Sequence, residues 1–240
     1  MEIFDSRLEF ETLISDASAS LMSAPPEQLE SDIERVLDAV RRFFNADRCA
    51  LLSVSADQAE VFVRLGSYSA GVPSIRSDLN LTEAFPWSHH TLVVERAAVR
   101  IEKIADLPPE AAVEREMWRQ LPIRSALSLP IESAGAVRHL IVLNTVDHEN
   151  RWPDVFVPRL RVLGELLVGA LVRHEMLAGL REAEERLASG AELAGLAYYT
   201  VNFSTATAYV DDRFRELCGV PGETAGGLEA VQFWMEHLHP

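Results

Sequence analysis

Residues 86–131 read PWSHHTLVVERAAVRIEKIADLPPEAAVEREMWRQLPIRSALSLPI. Trp87 to Arg96 has the pattern of a short helix. Ala98 to Ile104 alternates like a strand. Pro108 and Pro109 then start a second helix that runs to Leu121. Ser125 to Ile131 returns to the strand pattern, and Val137 to Val146 (VRHLIVLNTV) forms another strand after the Ser-Ala-Gly turn at 133–135.

Outward toward the N-terminus, Arg48 to Ser55 (RCALLSVS) and Glu60 to Gly66 (EVFVRLG) read as a hairpin around Ala56-Asp57-Gln58. Residues 67–81 carry the glycine, proline and serine of a loop. Two helices come earlier. Phe10, Leu13, Ile14, Ala17 and Leu21 mark one that stops before Pro25. Leu29, Ile33, Val36, Leu37, Val40, Phe43 and Phe44 mark the other. Toward the C-terminus, Phe156, Leu160, Leu163, Leu167, Ala170 and Leu171 define a helical stripe. Leu177, Leu180 and Leu187 extend it to about Ala188, with Gly179 as a weak point. Heptad-like spacing predicts that its first half covers a sheet and its second half leaves as a dimerising connector. After Gly190, residues 196–203 and 206–214 are strand-like and Arg213 to Val220 is a short helix. The succession predicts an α+β fold: an antiparallel sheet flanked by helices on both faces, a long C-terminal connector helix, and a small further α+β segment.

The chain has 240 residues, 48% of them hydrophobic, enough for a core. With 22 basic and 37 acidic side chains its formal net charge is −15. That charge repels phosphate backbones and anionic lipid, so neither nucleic acid nor a membrane surface is expected as a partner. Cys49 and Cys218 have no redox-pair or metal spacing, which suits a reducing cytoplasm. The N-terminal MEIFDSRLEFE lacks the apolar region of a signal peptide. The most apolar stretch, Val162 to Val172, contains Glu165 and is about half the length of a bilayer span.

Several phrases carry a resemblance. The Pro-Trp that opens a helix at 86–87, the Ala-Val-Arg-Ile strand, Asp106-Leu107-Pro108-Pro109-Glu110-Ala111, the Leu-Pro-Ile at 129–131, and Glu149-Asn150-Arg151-Trp152-Pro153-Asp154 before the long helix resemble GAF domains of bacterial sensor histidine kinases. The resemblance covers residues 8–178, with a connector at 179–190. Residues 191–240 resemble the first part of a PAS domain: two strands, then Phe214-Arg215-Glu216-Leu217-Cys218-Gly219, then Trp234 to Pro240 in a W-x-x-x-H-P phrase. The later PAS strands are missing, so the chain is expected to be a fragment of a longer protein, because roughly 50 residues bury too little surface to stand alone.

The resemblance implies a ligand pocket between the sheet and its covering helices. Trp87, His90, Trp118, Arg64 and Arg124 are its candidate lining residues. The tryptophans offer an apolar wall and the arginines paired hydrogen bonds to an anion. Core packing and surface charge are the alternatives. Some GAF relatives hold haem through a histidine, which brings in His90, but His89 and His90 point to different helix sides and no third ligand stands nearby, so no metal site is expected. Cys49 lacks the surroundings of a bilin-attaching cysteine and the partner of a redox enzyme. No nucleotide-binding or hydrolase motif occurs, so no catalytic residue is expected. Three readings compete. The first is a cytoplasmic sensory input module, in a homodimer through the helix at 156–188, that binds an unidentified small molecule within a sensor histidine kinase, or within a transcription activator or cyclase. The second is a ligand-free dimerisation scaffold, and the third a small redox enzyme. The sequence names no cofactor.

Overall fold

The computed structural model describes residues 2–220 and 228–229. It divides into two units, Met1–His174 and Glu175–Pro240. In the first, helices α1 (Glu2–Ser23) and α2 (Leu29–Phe43) precede strands β1 (Arg48–Val54) and β2 (Val61–Tyr68). Helix α3 (Pro86–His89) continues as one wider helical turn through Val94. Strand β3 (Val99–Ile101), helix α4 (Ala112–Gln120), and strands β4 (Ser125–Ser133) and β5 (Ala136–Thr145) follow. Helix α5 (Val157–Leu193) begins in this unit and ends in the second.

The strands form one antiparallel sheet in the order β2-β1-β5-β4-β3. Its central strands are buried on both faces, which is why β1, β4 and β5 read as nearly continuous apolar runs. One face carries Cys49, Leu51, Leu127, Leu129, Ile131, Ile141 and Leu143 and packs against α1, α2 and the first half of α5. Helix α2 presents Leu29, Ile33, Val36, Leu37 and Val40 at three- and four-residue intervals. Phe10, Phe43, Phe44 and Phe156 close the layer in tilted and edge-to-face contacts with ring centroids 4.7–5.9 Å apart. Helix α5 comes so close at Gly164 that an added Cβ would lie 2.6 Å from Cδ1 of Ile131. The other face carries Ala50, Leu52, Val63, Ala126 and Leu140 beneath α3, its wider turn and α4.

Trp152 shows what the Arg-Trp-Pro-Asp phrase does. Its ring is buried and donates from Nε1 to the carbonyl of Ile101 at 3.2 Å, tying the approach to α5 onto β3. Strand β3 is shorter than its alternation suggests, because residues 104–106 turn into a 3₁₀ helix. Helix α5 passes Ala188 without a break, and Gly179 lies within it. It is half-covered only as far as His174; from Glu175 to Gly190 every residue is exposed.

In the second unit, β6 (Tyr199–Asn202), β7 (Thr207–Val210) and β8 (Leu228–Glu229) form a three-stranded antiparallel sheet. Helix α6 (Asp212–Cys218) is capped at its start by Asp211, which accepts from the Phe214 amide at 2.7 Å, and at its end by Gly219 in the left-handed region. Residues 221–227 and 230–240, with the Trp234 to Pro240 phrase, lie outside the described residues.

Candidate functional site

A single register irregularity shapes the site. Leu51 pairs with Leu65 and Leu52 with Val63, so Arg64 is an unpaired bulge residue. A one-residue insertion reverses the facing of everything beyond it. Val61 and Val63 face α3 and α4, whereas Leu65 joins the opposite core. Tyr68 is thereby returned to the α3 and α4 side. Gly66 makes room for it: a Cβ there would stand 2.8 Å from the Tyr68 hydroxyl.

On that side the sheet is hollow. A cavity of about 90 Å³ lies beneath α3 and α4. Its walls are chiefly apolar, with Ala50, Leu52, Val63, Leu92 and Val142 among them, and Phe85 and Trp118 close it from the helical side. One row across the sheet supplies polar groups. Arg48 on β1 pairs with Tyr68 on β2 and with Asn144 on β5, and all three line the cavity. Ser128 and His89 add to them.

Arg48 is 2% exposed. Its Nη1 donates to the Leu121 carbonyl and to Oδ1 of Asn144, both at 3.4 Å, the long end of the hydrogen-bond range. Its Nε has no partner among the described residues, and no described carboxylate stands within 4 Å of the guanidinium. Burial pulls its pKa down, opposed by the Tyr68 phenol and Asp47; it starts so high that the side chain stays charged. Burial likewise pushes the Tyr68 phenol up, so it keeps its proton and can donate. The cavity thus holds a buried, incompletely bonded cation beside a phenol.

Glu114, fully buried on α4, holds α3 in place over the hollow. Its carboxylate accepts from the Ser88 amide at 2.5 Å and from the Ser88 hydroxyl at 2.8 Å. Burial raises its pKa, and these bonds only partly oppose the rise.

Of the residues singled out from sequence, Trp118 lines the cavity. Trp87 is half-buried against the same cluster but forms none of the wall. His90 is exposed, 3.5 Å from Glu95, and its neighbour His89 faces the hollow instead, its Nε2 2.8 Å from the Gln58 carbonyl. The helix phase explains the exchange: Phe85, His89 and Leu92 recur at four- and three-residue steps. Arg64, thrown outward by the bulge, pairs with Glu30 of α2 at 3.0 Å. Arg124 shares the parity of Ala126 and Ser128 but precedes the strand and reaches solvent. Sequence reasoning missed Arg48, Tyr68 and Asn144.

A wider groove of about 1310 Å³ beside α1 and α2 is open, and the Arg35 and Arg42 charges along it are already paired with Asp32 and Asp38. Asp47, Asp147 and His148 come within reach of one another, but His148 is held by Asp147 at 2.6 Å, a contact that raises its pKa, and by the Asn45 carbonyl. Cys49 lies on the sheet face opposite the cavity; it is fully buried, and burial pushes its thiol pKa up.

A sequence model of the GAF domain matches residues 28–197. Among solved structures, the phycoerythrobilin-bound GAF domain from a cyanobacterial phytochrome superposes with a TM-score of 0.58 at 17% identity, over 72% of this chain and 99% of that one. Free methionine-R-sulfoxide reductase from Neisseria meningitidis, in complex with its substrate, gives 0.52 at 9% identity over 70% and 91%. The GAF domain of an Acinetobacter phosphoenolpyruvate-protein phosphotransferase gives 0.51 at 13% identity over 69% and 93%. At such identities these likenesses concern the fold. No protein of curated function matches the chain.

Proposed function

The chain belongs to the GAF-domain family, and from that premise we propose that it is a sensory input module that binds a small molecule in the cavity beneath α3 and α4 and relays its occupancy through α5. The observation that carries this reading is the partly enclosed apolar hollow with Arg48 incompletely bonded inside it, the usual composition of a small-molecule site. The relay rests on α5: one continuous helix, half-covered by the sheet and then exposed, with Leu177, Leu180 and Leu187 in solvent. Such a stripe suits a parallel dimer seam. Ligand can shift the helix only by its difference in affinity for two states of the domain.

The hairpin β6–β7 followed by the capped α6 agrees with the start of a PAS domain, and a sensor histidine kinase remains the proposed parent, with a transcription activator or cyclase as alternatives. The module is proposed to be non-catalytic. A buried thiol with a raised pKa supplies no thiolate for redox turnover. Cys49 also faces away from the cavity, which argues against a bilin attached there. A tetrapyrrole is in any case far larger than the hollow. Among the described residues no helix is long and apolar enough to cross a membrane.

The small volume favours a second reading, the ligand-free scaffold. Native mass spectrometry beside the denatured mass decides between them. A dimer carrying an extra small mass is expected. A dimer with none, and no response to any added compound, makes the scaffold the better account. A triple variant with Leu177, Leu180 and Leu187 each changed to Glu is expected to elute as a monomer; if it remains dimeric, the seam lies elsewhere.

A further inference from the structure

We infer that the cavity's ligand is a small monocarboxylic acid, bound as its anion, with the carboxylate on Arg48 and Tyr68 and the apolar remainder against Ala50, Leu52 and Val142. This rests on the reading of the cavity as a sensory site.

Four features lead to that class. The first is charge. Arg48 is permanently cationic, is 2% exposed and has no described carboxylate within ion-pair distance. A buried cation is stable only when paired or well hydrogen-bonded, and here Nη1 makes two long bonds while Nε makes none. The second is geometry. A guanidinium offers parallel N–H donors that match the two oxygens of a carboxylate, and the protonated Tyr68 hydroxyl stands in the same row of the sheet as a further donor. The third is stoichiometry. One arginine balances one negative charge, whereas a phosphate dianion would bring a second charge into an apolar hollow whose described wall has no second lysine or arginine. The fourth is size. An engineered apolar cavity of 150 Å³ holds benzene. At about 90 Å³ this one suits a chain of a few carbons unless α3 yields. Beyond the Tyr68–Arg48–Asn144 row, the next residues along the strands are Ala50, Val142 and Leu52. The site therefore has a polar end and an apolar end.

The probes are sodium butyrate and sodium propionate, each with its neutral amide, and sodium chloride at equal ionic strength. All are titrated into the whole chain by calorimetry and followed by thermal melting. A carboxylate is expected to bind and raise the melting temperature, with its amide weaker. Arg48→Met is expected to weaken the carboxylate by about 10- to 100-fold, the usual worth of hydrogen bonds to a charged group. Acid and amide binding equally, or a neutral compound found by native mass spectrometry, would overturn the carboxylate while leaving the sensory cavity standing. Chloride reproducing the whole effect would mean an adventitious ion only, and would overturn it too. No binding by any probe, with no co-purifying mass, would sink the cavity reading and the carboxylate together. If Arg48→Met fails to fold, the acid-against-amide comparison on the unaltered chain still decides.

Discussion

On one face of the sheet, Leu51, Leu129, Ile131, Ile141 and Leu143 are fully buried beneath α1, α2 and α5; on the other, their strand neighbours surround about 90 Å³ of empty space. The same strands build both layers, so the difference lies in what covers them. Helix α2 spans 15 residues, and α5 lies against the sheet from Val157 to about His174; both present apolar stripes there. Helix α3 has four residues before its wider turn, and α4 has nine. Short helices cover a sheet less completely, and the gap contains the one buried arginine among the described residues. The packed face is where stability is held. The hollow face is where a ligand can add to it.

Removing side chains tests that contrast most strongly. Leu129→Ala on the packed face is expected to cost about 2–5 kcal/mol in urea denaturation. Leu92→Ala on the cavity wall should cost less, since Leu92 already lacks neighbours on one side. Equal losses would mean that the two faces are packed alike. Adding atoms gives a smaller effect. Gly164→Ala puts a methyl 2.6 Å from buried Ile131, and its overpacking cost of about 1–3 kcal/mol should exceed the roughly 1 kcal/mol gained in helix propensity. Ala50→Val, directed into the hollow, should be close to neutral. If Gly164→Ala stabilises, α5 is more loosely seated than its contacts imply.

This contrast was only partly legible in the sequence. Element order and the two hairpins, β1–β2 and β4–β5, were readable because helical and alternating patterns succeed one another with clear turns. The site was harder. Both faces of β1 are buried, so the alternation of Arg48, Ala50 and Leu52 with Cys49 and Leu51 carried no signal of which side was hollow. Nothing local marks the bulge at Arg64, yet it exchanges Arg64 for Tyr68 at the cavity. His89 could have been preferred to His90 from its phase with Phe85 and Leu92. Trp118 was named through the resemblance, which implies a pocket beneath the helices, and it lines the cavity.

Arg48→Met sharpens the comparison further. In the free protein it is expected to raise stability by about 1 kcal/mol, because an unpaired buried charge is replaced by an apolar side chain of similar length. Ligand-induced stabilisation should disappear in the same variant. The opposite result, a large loss of stability, would make Arg48 a clamp between β5 and the Leu121 carbonyl, and would favour the scaffold reading.

The smallest expected effect concerns the lid of the hollow face. Glu114 has a folded-state pKa raised by burial, so its carboxylate is easier to ionise in the unfolded chain. Its contribution is therefore fully present below the unfolded value and is lost as pH rises through the folded one. Glu114→Gln keeps an acceptor for the Ser88 amide, and its amide nitrogen can donate to the Ser88 hydroxyl, which reverses its role. Urea unfolding between pH 4.5 and 7 should then show the stability difference shifting in the variant's favour as pH rises. A difference that shifts toward the unaltered chain would mean that the ionised carboxylate is what holds α3 over the cavity, so that charge, and not hydrogen bonding alone, closes this side of the sheet.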